Sequence, residues 1–248
     1  MPLIEIIHSS KKKDDKRLKH IPSTLPQPVF RWVLLGASGS GKSMLIKNIL
    51  LNKSFGYIKY FDEIYVFNGS LDDVEEMKEL VEKHKLTEKI KVLNKFDNDK
   101  VQGLFDDIEA DNVNSEKKQN VLMIFDDQVT NGLSKHSGTN IIDTIYVRGR
   151  HANVSCIIST QKYMLLNQNV RQLNLTHLTV FYGTEKNDLE KVSSEHSGTL
   201  DSEDLLALFK SQLTKPFESI TIDKKAKPEE RFKDSKLEPI KLKDFTRI

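Results

Sequence analysis

Lys42 and Ser43 close the stretch GASGSGKS, residues 36–43, where three glycines and two further serines leave almost no side-chain bulk. Gly36, Gly41, Lys42 and Ser43 fit G-x-x-x-x-G-K-[ST], a spacing that lets a chain wrap a polyphosphate. Backbone N–H groups along Gly36, Ala37, Ser38, Gly39, Ser40, Gly41, Lys42, Ser43 and Met44 would turn inward on the β and γ phosphates of ATP. A helix starting at Lys42 would add its N-terminal partial positive charge. Lys42 brings a mobile cation, and Ser43 a hydroxyl for Mg2+. The plain alternative is a glycine-rich turn beside an unrelated lysine. The setting counts against it, because an apolar run ends directly before Gly36 and an amphipathic one (Leu45, Ile46, Ile49, Leu50) begins after Lys42.

A second group of residues could act on whatever the cradle holds. VLMIFDD ends a wholly apolar run with Asp126 and Asp127, where a carboxylate could reach the magnesium shell of a nucleotide held at the end of the neighbouring strand. Asp126 is expected to serve the metal through water, and Asp127 to orient or deprotonate the attacking water. Paired acids at such a place could instead cap the next helix. Gln161, after the run NVSCIIST, has a neutral amide able to hold the γ-phosphate and the water together. In YVRGRHANVS, Arg148 and Arg150 stand 21 and 23 residues past Asp127, at the end of a helix. Either is a dipole-compatible surface residue or an arginine finger reaching a neighbouring subunit's nucleotide, with Arg171 a third candidate. His151 is of interest only as the neighbour of Arg150.

Two other patterns carry less. NKFD, residues 94–97, matches the guanine-recognition spacing N-K-x-D, yet no D-x-x-G stands between residues 44 and 93 and the metal-type acids come later in the chain, so it reads as a loop. One cysteine and seven scattered histidines lack zinc-ligand spacing.

The elements that must position these residues alternate. Strands are expected at 29–35, 63–68, 89–93, 121–125, 153–159, 178–182 and 217–222. Helices are expected at about 42–51, through Leu71–Val81, through Val101–Ile108, at 141–147, 186–193 and 202–210, with a polar loop at 111–120. VLMIF is too short for a helix and apolar throughout, which predicts a central parallel strand buried on both faces. The alternation argues an α/β fold, a parallel sheet covered by helices. Residues 1–28 read as a basic arm whose segment IPSTLPQP is extended, 29–222 as the body, and 223–248 as a charged tail that orders only against something else.

Composition limits the alternatives. The chain has 248 residues, 38% hydrophobic and 30% charged, and its apolar runs are far too short to span a bilayer. The N-terminus puts its apolar patch before its basic run, the reverse of a secretory signal. The single Cys156 suits a reducing intracellular compartment and reads as a buried structural thiol. Net charge is +2, but residues 31–222 hold 23 basic and 27 acidic groups, so any contact with a polyanion must be local.

Taken in order, GASGSGKS, DEIYVFN, MIFDD, GRHANVSCIISTQ and the late R-x-x-N from Arg171 to Asn174 resemble the poxvirus-type DNA-packaging ATPases of large DNA viruses and virophages, a branch of the FtsK/HerA group. The resemblance covers most of residues 29–222. It implies a P-loop NTPase of RecA/ASCE type, with a mostly parallel sheet flanked by helices on both faces. It further implies ATP hydrolysis with Mg2+ and transport of double-stranded DNA into a preformed capsid by a homo-oligomeric ring, pentamer or hexamer, docked at a capsid vertex or portal. The implied location is the host cytoplasm at the viral factory, or the virion. Carried over, Lys42 and Ser43 contact nucleotide and metal, Asp126 and Asp127 serve metal and water, Gln161 senses hydrolysis, and Arg148 or Arg150 is the trans finger. The second acid is one methylene shorter than the glutamate of many relatives. Lys117 and Lys118 in the polar loop are a candidate pore element or an ordinary solvated loop. A helicase or non-packaging translocase, a small-molecule kinase and a non-hydrolysing capsid-docking protein are the competing readings. No nuclease activity is expected.

Overall fold

The computed structural model describes residues 15–94, 96–128, 140–198 and 200–242. Eight strands form one sheet: β1 (Arg31–Leu35), β2 (Glu63–Asn68), β3 (Ile90–Asn94), β4 (Val121–Asp126), β5 (Val154–Thr160), β6 (His177–Phe181), β7 (Ser219–Asp223) and β8 (Phe232–Lys233). Their spatial order is β3-β2-β4-β5-β1-β6-β7-β8. The helices are α1 (Lys42–Leu51), α2 (Tyr57–Tyr60), α3 (Leu71–Lys83), α4 (Asn98–Asn114), α5 (Ile141–Arg148), α6 (Lys186–His196) and α7 (Ser202–Gln212).

Successive side chains of a strand point to opposite faces, and the central strands have apolar residues at both sets of positions. Val33, Leu35, Met123, Phe125, Cys156 and Ile158 join one core with Phe105 of α4, Ile145 of α5 and Leu208 of α7. Trp32, Leu34, Leu122, Ile124 and Ile157 join the other with Ile46 of α1, Tyr57 of α2 and Met77 of α3. VLMIF is thus the doubly buried strand its composition predicts. Burial pushes the Cys156 thiol up, as fits a structural residue.

Three features depart from expectation. First, β4 is not beside β1: β5 lies between them, paired parallel to both. The strand carrying Asp126 is therefore one place further from the cradle than the order of motifs suggests. Second, β7 is antiparallel to β6 and starts at Ser219, two residues late. The two helices α6 and α7 carry the chain away and back, so it returns at the edge it left. There the Tyr182 N–H donates to the Glu218 carbonyl at 2.8 Å. Third, the sheet continues past residue 222. Phe232 and Leu237 are buried, and β8 pairs with β7 through Ile222 and Phe232. Two isolated apolar residues among charges leave no periodic trace, yet they suffice to cover an edge strand.

Part of the N-terminal arm is also fastened down. Ile21 and Leu25 are buried, Tyr57 donates its hydroxyl hydrogen to the Pro26 carbonyl at 2.7 Å, and Arg17 bridges Asp15 and Asp62. Residues 1–14 lie outside the described residues, as do 243–248.

Candidate nucleotide site

β1 delivers the chain to Gly36 at the C-terminal edge of the sheet, where its N–H donates to the Thr160 carbonyl at 3.1 Å. A Cβ on Gly36 would lie 2.6 Å from Ser40 Oγ and 2.8 Å from Phe181 Cβ, so the loop can leave the strand here only as glycine. Gly41 caps α1 at φ +110°, a backbone state that side chains oppose. It offers α1 no side-chain cap, which leaves the first N–H groups of the helix without a capping acceptor and directed at the loop. Lys42 Nζ donates to the carbonyls of Gly36 at 2.7 Å and Ala37 at 2.8 Å, so its charge is held across the loop mouth. Burial lowers the pKa of this ammonium, while Asp127 and Asp126 oppose the fall.

Ser43 Oγ donates to Asp126 Oδ2 at 3.2 Å, which ties the helix start to the end of β4 across the intervening strand. That strand supplies the missing link. Ser159 of β5 donates its hydroxyl hydrogen to Asp126 Oδ1, and Ser159 Oγ accepts the Asp127 N–H at 3.1 Å. Burial pushes the Asp126 carboxyl up, the Ser159 and Ser43 hydrogen bonds hold it back, and Asp127 adds to the rise. One hydroxyl and one buried carboxylate side by side are hard oxygen donors. Mg2+ takes one or two such protein ligands and completes its shell with water and phosphate, so the donor set fits that ion. Among the described residues no cluster of three or more His, Cys, Asp and Glu side chains offers an all-protein cage.

Asp127 stands exposed at φ +50°, turned out of the strand direction. Gln161 Nε2 donates to its Oδ2 at 3.0 Å, so the amide and the acid are joined directly. Gly69, after β2, passes close by: a Cβ there would lie 3.0 Å from the Asp127 carbonyl oxygen. The structure therefore brings together Gly36–Met44, Asp126, Asp127 and Gln161.

It does not bring the arginines to them. Arg148 and Arg150 precede the N-terminal end of β5, and the site lies past its C-terminal end, seven strand residues away, roughly 20 Å. Arg148 is engaged, with both Nε and Nη2 donating to Glu109 and its guanidinium 5.8 Å from the centre of the Phe105 ring. Arg150 has no ion pair among the described residues and lines a groove of about 940 Å³ together with Lys117, Lys118 and Lys225. Beside them Arg31 is 7% exposed, and its buried Nε has no hydrogen-bond partner. Burial lowers the pKa of both Arg31 and Lys225, and the charge of Arg150 lowers both further. Arg171 is buried, pairs with Glu195 at 2.9 Å and lies over Tyr163, so it is a structural ion pair and not a free finger.

The remaining motifs resolve simply. Asp97 of NKFD caps α4, its Oδ1 accepting the N–H groups of Asp99 and Lys100 at 3.1 Å each. The expected loop at 111–120 begins as the last turn of α4, where buried Asn112 donates to the Gln119 and Ala152 carbonyls. Ser159, Gly69 and Arg31 were not singled out by motif. Ser159 had a signal, as a hydroxyl directly after the apolar run of residues 156–158 in a buried strand.

A model of the poxvirus A32 protein family matches residues 18–223. No curated protein sequence is detectably similar. Among solved structures, the chain is similar to the genome packaging NTPase B204 of Sulfolobus turreted icosahedral virus 2 in complex with ATPγS. The two share 22% identity and a TM-score of 0.61 over 86% of this chain and 98% of that one. It is also similar to B204, the DNA-packaging ATPase of Sulfolobus turreted icosahedral virus, with 20% identity and a TM-score of 0.62 over 86% and 98% of the two chains. A more distant likeness is to ATPases 2 and 3 of EssC from Geobacillus thermodenitrificans, at 12% identity and a TM-score of 0.54, covering 78% of this chain and 37% of that one. These likenesses establish the P-loop ATPase fold.

Proposed function

The chain belongs to the poxvirus A32 protein family, and from that premise we propose that it hydrolyses ATP to drive double-stranded DNA into a preformed viral capsid, as a ring of identical subunits. The observation that carries this reading is the hydrogen-bonded run Ser43–Asp126–Ser159 at the mouth of the cradle, with Asp127 and Gln161 beside it. The solved packaging ATPases of the same fold support it.

In this reading Lys42 and the N–H groups of the loop grip the β and γ phosphates, a preorganised arrangement aimed at charge that grows in the transition state. Ser43 and Asp126 would hold Mg2+, which supplies charge neutralisation between the phosphates. Asp127 orients the attacking water and accepts its proton. Gln161 fixes the rotamer of Asp127 and contacts the γ-phosphate, so loss of that phosphate changes what the amide can bond.

The finger is Arg150 and not Arg148. Arg148 is held by Glu109, whereas Arg150 has no ion pair among the described residues and lies past the end of β5 opposite its own cradle, in a groove lined by Lys117, Lys118 and Lys225 and also by Asp15 and Glu116. Its position allows action only on a neighbouring subunit's nucleotide, which makes assembly a condition of turnover. Work takes place on viral DNA in the host cytoplasm or at the capsid vertex. Among the described residues no helix is long and apolar enough to cross a membrane.

The test is ATPase activity against protein concentration, with and without duplex DNA. We expect a steep concentration dependence, loss of about 10³-fold or more in Arg150→Ala, near-native rates in Arg148→Ala, and partial rescue when Arg150→Ala is mixed with Lys42→Ala. Rates linear in enzyme at every dilution would place a complete site within one subunit and refute the trans assignment.

A further inference from the structure

Phe217 stands beside the cradle in a conformation that packing does not explain. It is 68% exposed, so its ring contributes little to either core. Its φ of +70° lies in the left-handed region, which is unfavourable for a residue with a side chain. The turn has the marks of a type II β-turn. Pro216 occupies the first central position, Phe217 the second, and the Glu218 N–H donates to the Lys215 carbonyl at 3.2 Å. Glycine is the residue that second position favours.

The turn is also braced. The Glu218 carboxylate accepts the N–H groups of Thr214 at 2.7 Å and Lys215 at 2.8 Å, while the Glu218 carbonyl accepts that of Tyr182. The aromatic ring is thereby held against the last glycine of the cradle: a Cβ on Gly41 would be 3.4 Å from Phe217 Cδ1 and 3.5 Å from Phe181 Cε1. Phe181 is buried behind it and Phe217 stands out from it, at the point where the loop becomes α1.

We infer that Phe217 is the platform on which the base of the bound nucleotide stacks. This deepens the nucleotide reading above and rests on it. With the phosphates held along the loop and the first turn of α1, the rest of the nucleotide must leave the cradle past one of its rims. Phe217 is an exposed flat apolar surface fixed at such a rim. Base–aromatic stacking depends on the π face, not on hydrogen-bond pattern, so the platform favours purines by area and discriminates little between them.

The experiment compares Mg-ATP with Mg-tripolyphosphate, which has the phosphates and no base, by titration calorimetry on the full chain. In Phe217→Ala and Phe217→Gly we expect ATP affinity to fall on the order of ten-fold or more while tripolyphosphate affinity stays as in the native chain. Phe217→Tyr should keep the native ATP affinity. Phe217→Gly should melt no lower than the native chain, because glycine suits φ +70°, which separates loss of binding from loss of fold. Native ATP affinity in Phe217→Ala, or an equal fall for both ligands, would overturn the platform. Failure of the native chain to bind ATP at all, with Lys42→Ala no different, would overturn the nucleotide reading and the platform with it.

Discussion

Replacing Ser159 with alanine removes one hydroxyl that serves two acids at once. It donates to Asp126 Oδ1 and accepts the Asp127 N–H at 3.1 Å. A hydrogen bond to a charged group contributes about 1.5–3 kcal/mol, and outer-shell partners of metal ligands are typically worth about 10–100-fold in metal affinity or activity. At about 1.4 kcal/mol per factor of ten the two figures agree. Without Ser159 the buried Asp126 keeps only the Ser43 hydrogen bond at 3.2 Å against a desolvation that already drives it toward the neutral acid. We therefore expect Ser159→Ala to raise the Mg2+ concentration for half-maximal ATPase activity by about 10–100-fold. The fall in kcat at saturating Mg2+ should be smaller and should arise from the loosened Asp127. Ser159→Thr keeps the hydroxyl and should recover most of both. The assay is steady-state ATPase with Mg2+ titrated at fixed ATP, with circular dichroism melts to show that the variant is folded. A folded Ser159→Ala with an unaltered Mg2+ profile would refute the assignment of Asp126 to the metal.

Two further outcomes test the frame around the site. Phe232→Ala should destabilise the fold by about 3–5 kcal/mol in chemical denaturation, since the ring is fully buried in the sheet's own core; a change below about 1 kcal/mol would show that β8 does not belong to the cooperative unit. His196 is buried, and desolvation, with Lys224 second, lowers its pKa to about 4. Between that value and the ordinary value of about 6.5 the unfolded chain binds a proton that the folded chain does not. Stability therefore rises with pH through that window and is lost as pH falls, by about 3 kcal/mol at most. His177, also lowered by burial, acts in the same direction, so the reading is the difference between native and His196→Gln melts at pH 4.5 and 7.5. Equal pH dependence in both would refute it.

The cradle was legible because its chemistry is local: glycines, lysine and serine carry their meaning in eight consecutive positions. Strands buried on both faces were legible for the same reason, since VLMIF and EIYVFN declare burial without reference to neighbours. Sheet order was not, because parallel pairing is decided by crossovers, and nothing in the spacing of GASGSGKS and MIFDD says that a third strand comes between them. Arg148 and Arg150 look equivalent as letters. Glu109, 39 positions before Arg148, is what separates them. Phe232 and Leu237 were hidden by their charged surroundings. Phe217 was read as the start of a strand, when Pro216 before it was the sign of a turn.

β5 has paired neighbours on both flanks, β4 over residues 154–158 and β1 over residues 156–160. A strand so clamped cannot slide alone. Its far end is knotted to the segment bearing Arg150, through Val154 N–H on the Gly149 carbonyl and His151 N–H on that of Arg148. Its near end carries Gln161. It joins the two tips as one seven-residue span, and shifting either tip along the strand would have to break backbone hydrogen bonds to β1 or β4.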